Sequence, residues 1–219
     1  MGSRCALVLS LCVAALATTG CFAPATKWRG TLQLGTSYNF ETPLTIKQDG
    51  EEDIDVNHAR YHTRPWSEAP YYGARLTRWS GDEAWEIEFL HHKIKLRNGG
   101  SDVQYFEVSN GYGLLMVNYA RDFDWAIGRI GAGVIVAYPI SRVRGRAFDE
   151  DGGVFDSGYF FAGPCTQVGL EKTIDLGAGF HLSLEGKLTY GYAEVEIAGG
   201  DASVPNLAIH GLIGFGYDF

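Results

Sequence analysis

Histidines and acidic residues are the side chains of this sequence best suited to chemistry. His58 and His62 lie in one charge-rich segment, and His91 precedes another histidine in a second. A metal ion needs histidine and carboxylate ligands that converge, so His58, His62 and His91 are candidate metal ligands. Their spacing is not diagnostic, because residues four apart share a face only on a helix. We therefore expect a divalent metal only if the protein is an enzyme, and otherwise no cofactor.

Four other residues are candidates for acid–base or nucleophilic catalysis: His92, Glu107, Ser109 and His210. Histidine is the usual general base, and serine beside a base is the usual nucleophile. If His92 and His210 lie on strands of one barrel, alternation of side chains along those strands places both histidines on the lumen side. The competing interpretation is that these residues are scattered polar side chains of solvated loops.

The elements that would position these residues are strands. From Phe180 to Ala193 and from Leu207 to Phe219, apolar residues alternate with polar or small ones, and a third such stretch begins at Trp28. This period of two predicts strands with two different environments. The same pattern along the rest of the chain predicts eight strands in all: 28–40, 71–79, 84–92, 111–120, 125–138, 159–171, 180–195 and 207–219. The phase of the second is ambiguous, and Pro164 weakens the sixth.

The connections between these strands alternate in length. The short ones are 80–83, 121–124 and 172–179, and the long ones are 41–70, 93–110, 139–158 and 196–206. Transmembrane barrels have short periplasmic turns and longer extracellular loops. The alternation therefore favours a barrel that crosses a membrane.

Aromatic residues fall at both ends of the predicted strands, as expected for two membrane interfaces. At the short-turn end are Trp28, Trp79, Trp85, Tyr119, Phe180, Tyr217 and Phe219. At the long-loop end are Tyr38, Phe40, Tyr72, Tyr138, Phe160 and Tyr192. The mean hydropathy of −0.08 agrees with a barrel, in which lipid-facing and lumen-facing residues alternate. We predict an all-β fold, an eight-stranded antiparallel transmembrane up-and-down β-barrel.

The N-terminus predicts export. Arg4 precedes an apolar run of 13 residues, Cys5 to Ala17, which is too short to span a bilayer but suits a signal peptide. We therefore divide the chain into a signal peptide, 1–25, and a barrel domain, 26–219, with lipidation at Cys21 as an alternative. Cys165 then stands alone, so no disulfide framework is expected.

The last residues carry a family resemblance. The segment from Ile213 to Phe219, with a terminal phenylalanine on the apolar face, resembles the C-terminal signature of bacterial outer-membrane proteins. With eight strands, residues 26–219 look like the small OmpA-like barrel class. The resemblance implies an outer-membrane location and recognition of Phe219 by the barrel-assembly machinery. The rival fold is a soluble eight-stranded barrel whose apolar face points inward.

The polar faces of the predicted strands hold charged residues that would point into the lumen: Glu86, Glu88, Arg129, Glu171, Glu185 and Lys187. Eight strands enclose a space that side chains just fill, and buried charges are tolerated when paired. We predict an ion-pair network that plugs the lumen. The alternative is a narrow, gated pore.

Three arginines could bind lipid phosphates at the outer rim. Arg142, Arg144 and Arg146 alternate beyond the fifth predicted strand and would share its outward face. Arginine binds phosphate bidentately, so the expected ligand is lipopolysaccharide. The competing interpretation is a solvated loop stripe, balanced by the acids that follow.

Two classes of function remain open beside the pore. The leading expectation is a non-enzymatic, monomeric outer-membrane protein with a structural, membrane-integrity or surface-interaction role, in contact with lipid and lipopolysaccharide. The alternative is an enzyme that modifies lipid A. Known lipid A deacylases place a histidine two positions before their serine; Glu107 holds that position before Ser109, which argues against that mechanism. The chain is also similar in length to lipid A oxidase-type barrels. A net charge of −8 excludes nucleic acid as an expected partner.

Overall fold

The computed structural model describes residues 26–67, 70–149 and 159–219, with the backbone alone at positions 109 and 110. The predicted signal peptide, including Cys21, lies outside the described residues. The side chain of Ser109 lies outside them as well. Within the described ranges no helix is long and apolar enough to cross a membrane.

The described residues form twelve strands. In chain order they are β1 (Thr26–Asn39), β2 (Thr42–Gln48), β3 (Ile54–Ala59), β4 (Tyr61–His62), β5 (Tyr72–Ser80), β6 (Glu83–Leu96), β7 (Val103–Asp122), β8 (Ile127–Val143), β9 (Arg146–Asp149), β10 (Phe160–Gly177), β11 (Phe180–Ile197) and β12 (Gly200–Asp218).

Eight of these strands close a barrel. The antiparallel order is β1-β5-β6-β7-β8-β10-β11-β12, and β1 pairs again with β12. Closure gives every barrel strand two neighbours and removes the free edges of an open sheet. The short strands β2, β3, β4 and β9 extend this sheet at the long-loop end. The predicted all-β, eight-stranded antiparallel barrel is confirmed.

The apolar face of the barrel points outward. Leu32 is 70% exposed, Ile130 60% and Ile213 62%, whereas the neighbouring Thr31 and Gln33 are buried. A soluble barrel would turn these faces the other way, so that rival prediction is wrong. An apolar outer wall around a polar interior is the construction of an outer-membrane barrel, and the predicted outer-membrane location is confirmed.

The strands reach farther at the outer end than the sequence indicates. Two predicted long loops, 93–110 and 196–206, are largely strand, and β11 and β12 are joined by the turn 198–199. The outward residues at the outer ends of the barrel strands, such as Glu194 and Glu196 of β11, are charged. Above the membrane the outer face of the strands meets water. The outward residues there are therefore not apolar, and the alternation that marks the lower strands is lost from the sequence.

β12 changes its neighbour near Pro205. Below this point it pairs with β1 as far as Ala208, and above it Ser203 pairs with Thr45 of β2. Proline has no N–H to donate, so it fits the gap between the two pairings. Its carbonyl accepts a hydrogen bond from Thr42 Oγ1 at 2.7 Å. β2 thereby continues the barrel wall where β1 ends.

The inward face of β5 is Gly73, Arg75, Thr77 and Trp79. Trp79 is 9% exposed and packs inside the short-turn end with a small group of buried residues. The expectation that Trp79 belongs to the outer aromatic ring is therefore wrong. The cause is the ambiguous phase of this strand in the sequence.

Candidate functional site in the barrel interior and at the outer rim

The middle of the barrel holds an ion-pair network that we call the charge layer. It consists of Arg75, Glu86, Glu88, Arg129, Glu171, Glu185 and Lys187, all of them buried. They project from β5, β6, β8, β10 and β11, because alternate residues of each strand face the lumen.

The two arginines lie at the centre of the charge layer. Arg129 Nη1 lies 2.6 Å from Glu185 Oε1, and Arg129 Nε lies 3.0 Å from Glu86 Oε2. Arg75 Nη1 lies 2.9 Å from Glu185 Oε2, and Arg75 Nη2 contacts Glu171. Each guanidinium therefore bridges carboxylates from different strands and links opposite sides of the lumen.

Lys187 completes the charge layer beside Glu88 of β6. Its Nζ contacts Glu88 and lies 3.1 Å from Glu185 Oε1. Asn118 and Gln167 donate amide hydrogen bonds to Glu88 Oε2 at 2.8 and 2.9 Å. The buried charges are thus both paired and hydrogen-bonded, which is the condition under which a protein interior tolerates them.

Sequence reasoning missed Arg75, although it nominated the other six members of the charge layer. The phase of β5 could not be assigned, so Arg75 was left without a face. The sequence signal for an inward Arg75 is the alternation of Gly73, Arg75 and Thr77 on one face of β5. This signal is weak because the opposite face also contains a charged residue, Arg78.

Above the charge layer lies a second polar group, the histidine cluster of Tyr71, His92 and His210. The Tyr71 hydroxyl contacts His210 Nδ1, and the two imidazole rings are 5.1 Å apart. His210 Nε2 lies 2.7 Å from Thr189 Oγ1, and His92 Nε2 lies 2.9 Å from Asn206 Oδ1. The structure thus brings His92 and His210 together, but it buries both.

Ser37 adds a hydroxyl to the histidine cluster. Its Oγ lies 3.4 Å from His92 Nδ1 and 2.5 Å from Thr63 Oγ1. The Asn206 Oδ1 atom is an acceptor, so His92 Nε2 carries the proton and Nδ1 is free to accept. Sequence reasoning did not nominate Ser37. Its place follows from register, since Ser37 pairs with His210 across β1 and β12.

The wall of the barrel has a break in strand pairing beside Ser37. Pairing between β1 and β5 ends at Leu34 and Tyr72, and among the described strands residues 36–39 of β1 pair with β12 alone. A cleft of about 310 Å³ occupies this break, and we call it the seam cleft. Its polar lining consists of Thr36, Ser37, Asn39, His62, Thr63 and Arg64.

An apolar groove continues from the seam cleft down the outside of the barrel. This wall groove has a volume of about 950 Å³ and shares Thr36 and Pro65 with the seam cleft. Its apolar lining includes Leu32, Leu34, Trp66, Tyr72, Ile213 and Phe215.

Buried apolar residues fill the outer end of the barrel, and we call them the apolar cap. Its members come from the strand extensions and from β2, which continues the barrel wall beside β12. The largest of them are fully or almost fully buried: Leu44, Ile46, Ile94, Phe106, Val108, Val143, Val195, Ile197 and Val204. The apolar cap lies on the outer side of the histidine cluster, whereas Ser37 lines the seam cleft in the barrel wall.

Glu107 does not join His92 and His210. Its neighbours Phe106 and Val108 belong to the apolar cap, so Glu107 faces outward, where its carboxylate lies 3.0 Å from Lys95 Nζ. The Tyr105 hydroxyl also contacts it. Alternate residues of a strand face opposite sides, so the structure does not bring the candidate Glu107 together with the two interior histidines.

The three candidate metal ligands are separately placed. His58 is exposed and lies 3.5 Å from Glu41, while His62 is on β4. The His91 ring stacks on Tyr72, and its Nδ1 lies 3.1 Å from the carbonyl oxygen of Pro70. In the part of the chain that the structure describes, no group of three or more His, Cys, Asp or Glu side chains could hold a metal ion.

Arg142, Arg144 and Arg146 do not share one outward face. Val143 pairs with Arg146 in a hairpin whose turn is Arg144–Gly145, with φ values of 49° and 76°. Arg142 is exposed, whereas Arg144 Nη2 binds the carbonyl of Glu52 at 2.8 Å and Arg146 lies 3.4 Å from Glu51. The predicted stripe is wrong because the chain reverses within it.

A different set of cations surrounds His62. Partial desolvation and the charges of Arg97, Arg64 and Lys95 lower the pKa of His62 from its usual value. His62 pairs with Lys95 across β4 and β6. The outer rim beside the seam cleft is therefore basic.

Comparisons with known proteins give weak likenesses to membrane barrels. The sequence matches no protein-family model and no curated protein. The chain is similar to the attachment invasion locus protein Ail of Yersinia pestis, with 10% identity, 87% of this chain and 98% of that chain covered, and a TM-score of 0.42. It is also similar to Neisserial surface protein A, with 8% identity, 87% of this chain and 97% of that chain covered, and a TM-score of 0.36. The barrel architecture of this chain is instead established by its own strand pairing.

Proposed function

We propose that this outer-membrane barrel is a sealed, non-conducting protein with a structural or surface-interaction role. The observation that supports this role is the filling of the lumen at two heights, by the charge layer and by the apolar cap. Neither filling depends on a ligand.

A continuous pore would require both fillings to open. Removing one partner of a buried ion pair costs roughly 3–5 kcal/mol, and each guanidinium of the charge layer contacts more than one carboxylate. Wetting the apolar cap would in addition expose large side chains such as Leu44 and Ile46, which are fully buried. The small-pore alternative is therefore disfavoured.

Planar-bilayer recordings test the sealed state. We expect no conductance steps from the purified protein in bilayers where a porin, added afterwards, conducts. Steps whose size changes in the Arg129→Gln variant would show that current passes through the charge layer, and the sealed role would then be abandoned.

The partners that suit this role are the lipids of the outer membrane, lipopolysaccharide among them, and the barrel-assembly machinery. The terminal Phe219 supports the second partner, since this residue is 66% exposed on the outer wall. A monomer suffices for the proposal, because the barrel closes on itself within one chain.

A second candidate function, hydrolysis of a lipid acyl ester, is favoured by the line from Ser37 through His92 to Asn206. In this reaction Ser37 Oγ attacks the ester carbonyl while its proton passes to His92 Nδ1. The departing alcohol takes that proton, and water then releases the fatty acid from the serine. Asn206 orients the imidazole through Nε2.

Mass spectrometry of lipids tests the enzyme. The purified protein, incubated with lipopolysaccharide or phospholipid, should release fatty acid, and Ser37→Ala should abolish the release. Thr63→Ala is the matched control, because Thr63 contacts Ser37 but takes no part in proton transfer. Unchanged lipid A from cells with and without the protein, together with no release in vitro, would remove this candidate.

A further inference from the structure

We propose that the seam cleft and the wall groove together bind one molecule of lipopolysaccharide, with a lipid A phosphate in the cleft and an acyl chain in the groove. The proposal rests on the outer-membrane placement of the barrel. It names the lipid and the site within the proposed surface role, and it does not depend on whether the lumen is sealed.

The wall groove has the shape and chemistry of a site for an acyl chain. Gly211 forms part of its floor, and a Cβ added there would meet nothing within 4 Å. The walls are aliphatic and aromatic side chains of β1, β5 and β12. A depression in an apolar wall gives a chain contacts on several sides, which a smooth wall does not.

Trp66 lines the wall groove next to Pro65, which the groove shares with the seam cleft. Its side chain is 74% exposed, yet its backbone is fixed: Ser67 N–H donates to the Arg64 carbonyl at 3.2 Å, and Tyr71 N–H donates to the Pro65 carbonyl at 2.9 Å. Lys93 Nζ also binds the Ser67 carbonyl, at 2.5 Å. An indole held at the membrane interface is suited to the boundary between acyl chain and headgroup.

The seam cleft has the charge that a phosphate requires. Arg64 and His62 line it, and none of the described residues lining it is acidic. The backbone N–H of Arg97 donates to the Arg60 carbonyl at 2.8 Å, next to β4, and the charge of Arg97 acts on His62, which lines the cleft. Among the described residues neither Arg64 nor Arg97 takes part in an ion pair, whereas Lys95 is paired with Glu107. Two guanidinium groups are therefore available to bind phosphate bidentately.

The continuity of the two spaces selects an amphiphile. Because the seam cleft and the wall groove share Thr36 and Pro65, a single molecule can place its anionic group in one and its chain in the other. The seam cleft lies at the long-loop end of the barrel, which in outer-membrane barrels faces the cell exterior, and the wall groove runs from it down the wall to Leu32 and Phe215. Lipopolysaccharide, which is phosphorylated and multiply acylated, has the required chemistry.

The test measures, by mass spectrometry, the lipid A that the purified protein retains after exchange into detergent. The lipid-free protein is then titrated with lipopolysaccharide or with phosphatidylglycerol, and the bound lipid is measured in the same way. We expect Arg64→Gln/Arg97→Gln to weaken retention at least tenfold, since both guanidinium groups that would bind the phosphate are lost. We expect Gly211→Leu, which fills the wall groove, to weaken it similarly.

Two controls make the result decisive. Gly186 pairs with Gly211, and a Cβ added there also meets nothing within 4 Å, but Gly186 is not part of the groove lining. Gly186→Leu and Arg142→Gln should retain lipid A as the parent protein does. Equal losses in these controls, or equal retention of phosphatidylglycerol, would overturn the proposal. Heat-modified gel migration verifies that each variant is folded.

Discussion

The guanidinium of Arg75 contacts the carboxylate of Glu171 across the lumen, although 96 residues separate them in the chain. This contact joins β5 to β10, two strands that are not neighbours in the sheet. The charge layer therefore connects the barrel wall through its interior, in addition to the hydrogen bonds that run around it.

Arg75→Met should destabilise the barrel by roughly 3–5 kcal/mol, because it leaves buried carboxylates with fewer cations. Adding Glu171→Gln should recover part of that loss, since one surplus negative charge is removed. Urea unfolding in lipid vesicles measures both free energies. If the two single losses simply add in the double variant, the contact contributes no coupling energy.

Leu44→Ala should loosen the apolar cap without opening a pore. Leu44 is fully buried, so its truncation should cost about 2–5 kcal/mol. Hydrogen exchange should quicken in β2 and in the paired part of β12, while exchange in the lower strands stays slow. Equal acceleration throughout the barrel would show that the cap and the lower barrel unfold as one unit.

The pKa of His62 should report on both the arginines and the bound lipid. Partial desolvation and then the positive charges of Arg97, Arg64 and Lys95 oppose protonation, so the pKa lies below the usual value of 6.5. Arg97→Gln should therefore raise it, and so should lipopolysaccharide, whose phosphate favours the protonated ring. NMR titration of the imidazole measures the shift. A pKa that is unchanged by Arg97→Gln would contradict the described surroundings of His62.

Phe219→Ala should reduce the amount of assembled protein in the outer membrane. The backbones of Trp28 and Phe219 exchange two hydrogen bonds, of 3.0 and 2.8 Å, which close β1 onto the C-terminus. An alanine keeps those bonds, so refolding into vesicles should remain efficient while assembly in cells falls. Phe215→Ala, which removes another exposed ring of β12, is the control. Equal effects in cells would assign the loss to the outer wall and not to recognition of the terminus.

Much of the barrel could be predicted from residue alternation, and the exceptions have physical causes. β11 and β12 alternate strictly because one face meets lipid and the other meets the lumen. β5 does not, since Arg78 shares its outward face with Tyr72 and Leu76, and so the role of Arg75 was missed. The strand extensions above the membrane carry charged outward residues and resemble loops in sequence.

The candidate site was less predictable because it is a product of register. Ser37 approaches His92 only because β1 pairs with β12 in one particular alignment and because β5 stops short beside it. No spacing in the sequence encodes that meeting. The turn at Arg144–Gly145 is similar: a local reversal places three regularly spaced arginines in three different surroundings.

The charge layer also determines how this chain is free to vary over evolutionary time. Each of its members depends on partners from other strands, so a substitution at one position calls for a compensating substitution far away in the sequence. The lipid-facing residues carry no such obligation, and leucine, isoleucine, valine and phenylalanine can replace one another there. Descendants of a common ancestor would therefore drift apart rapidly over the outer wall, while their kinship persisted in a few covarying polar positions within the lumen.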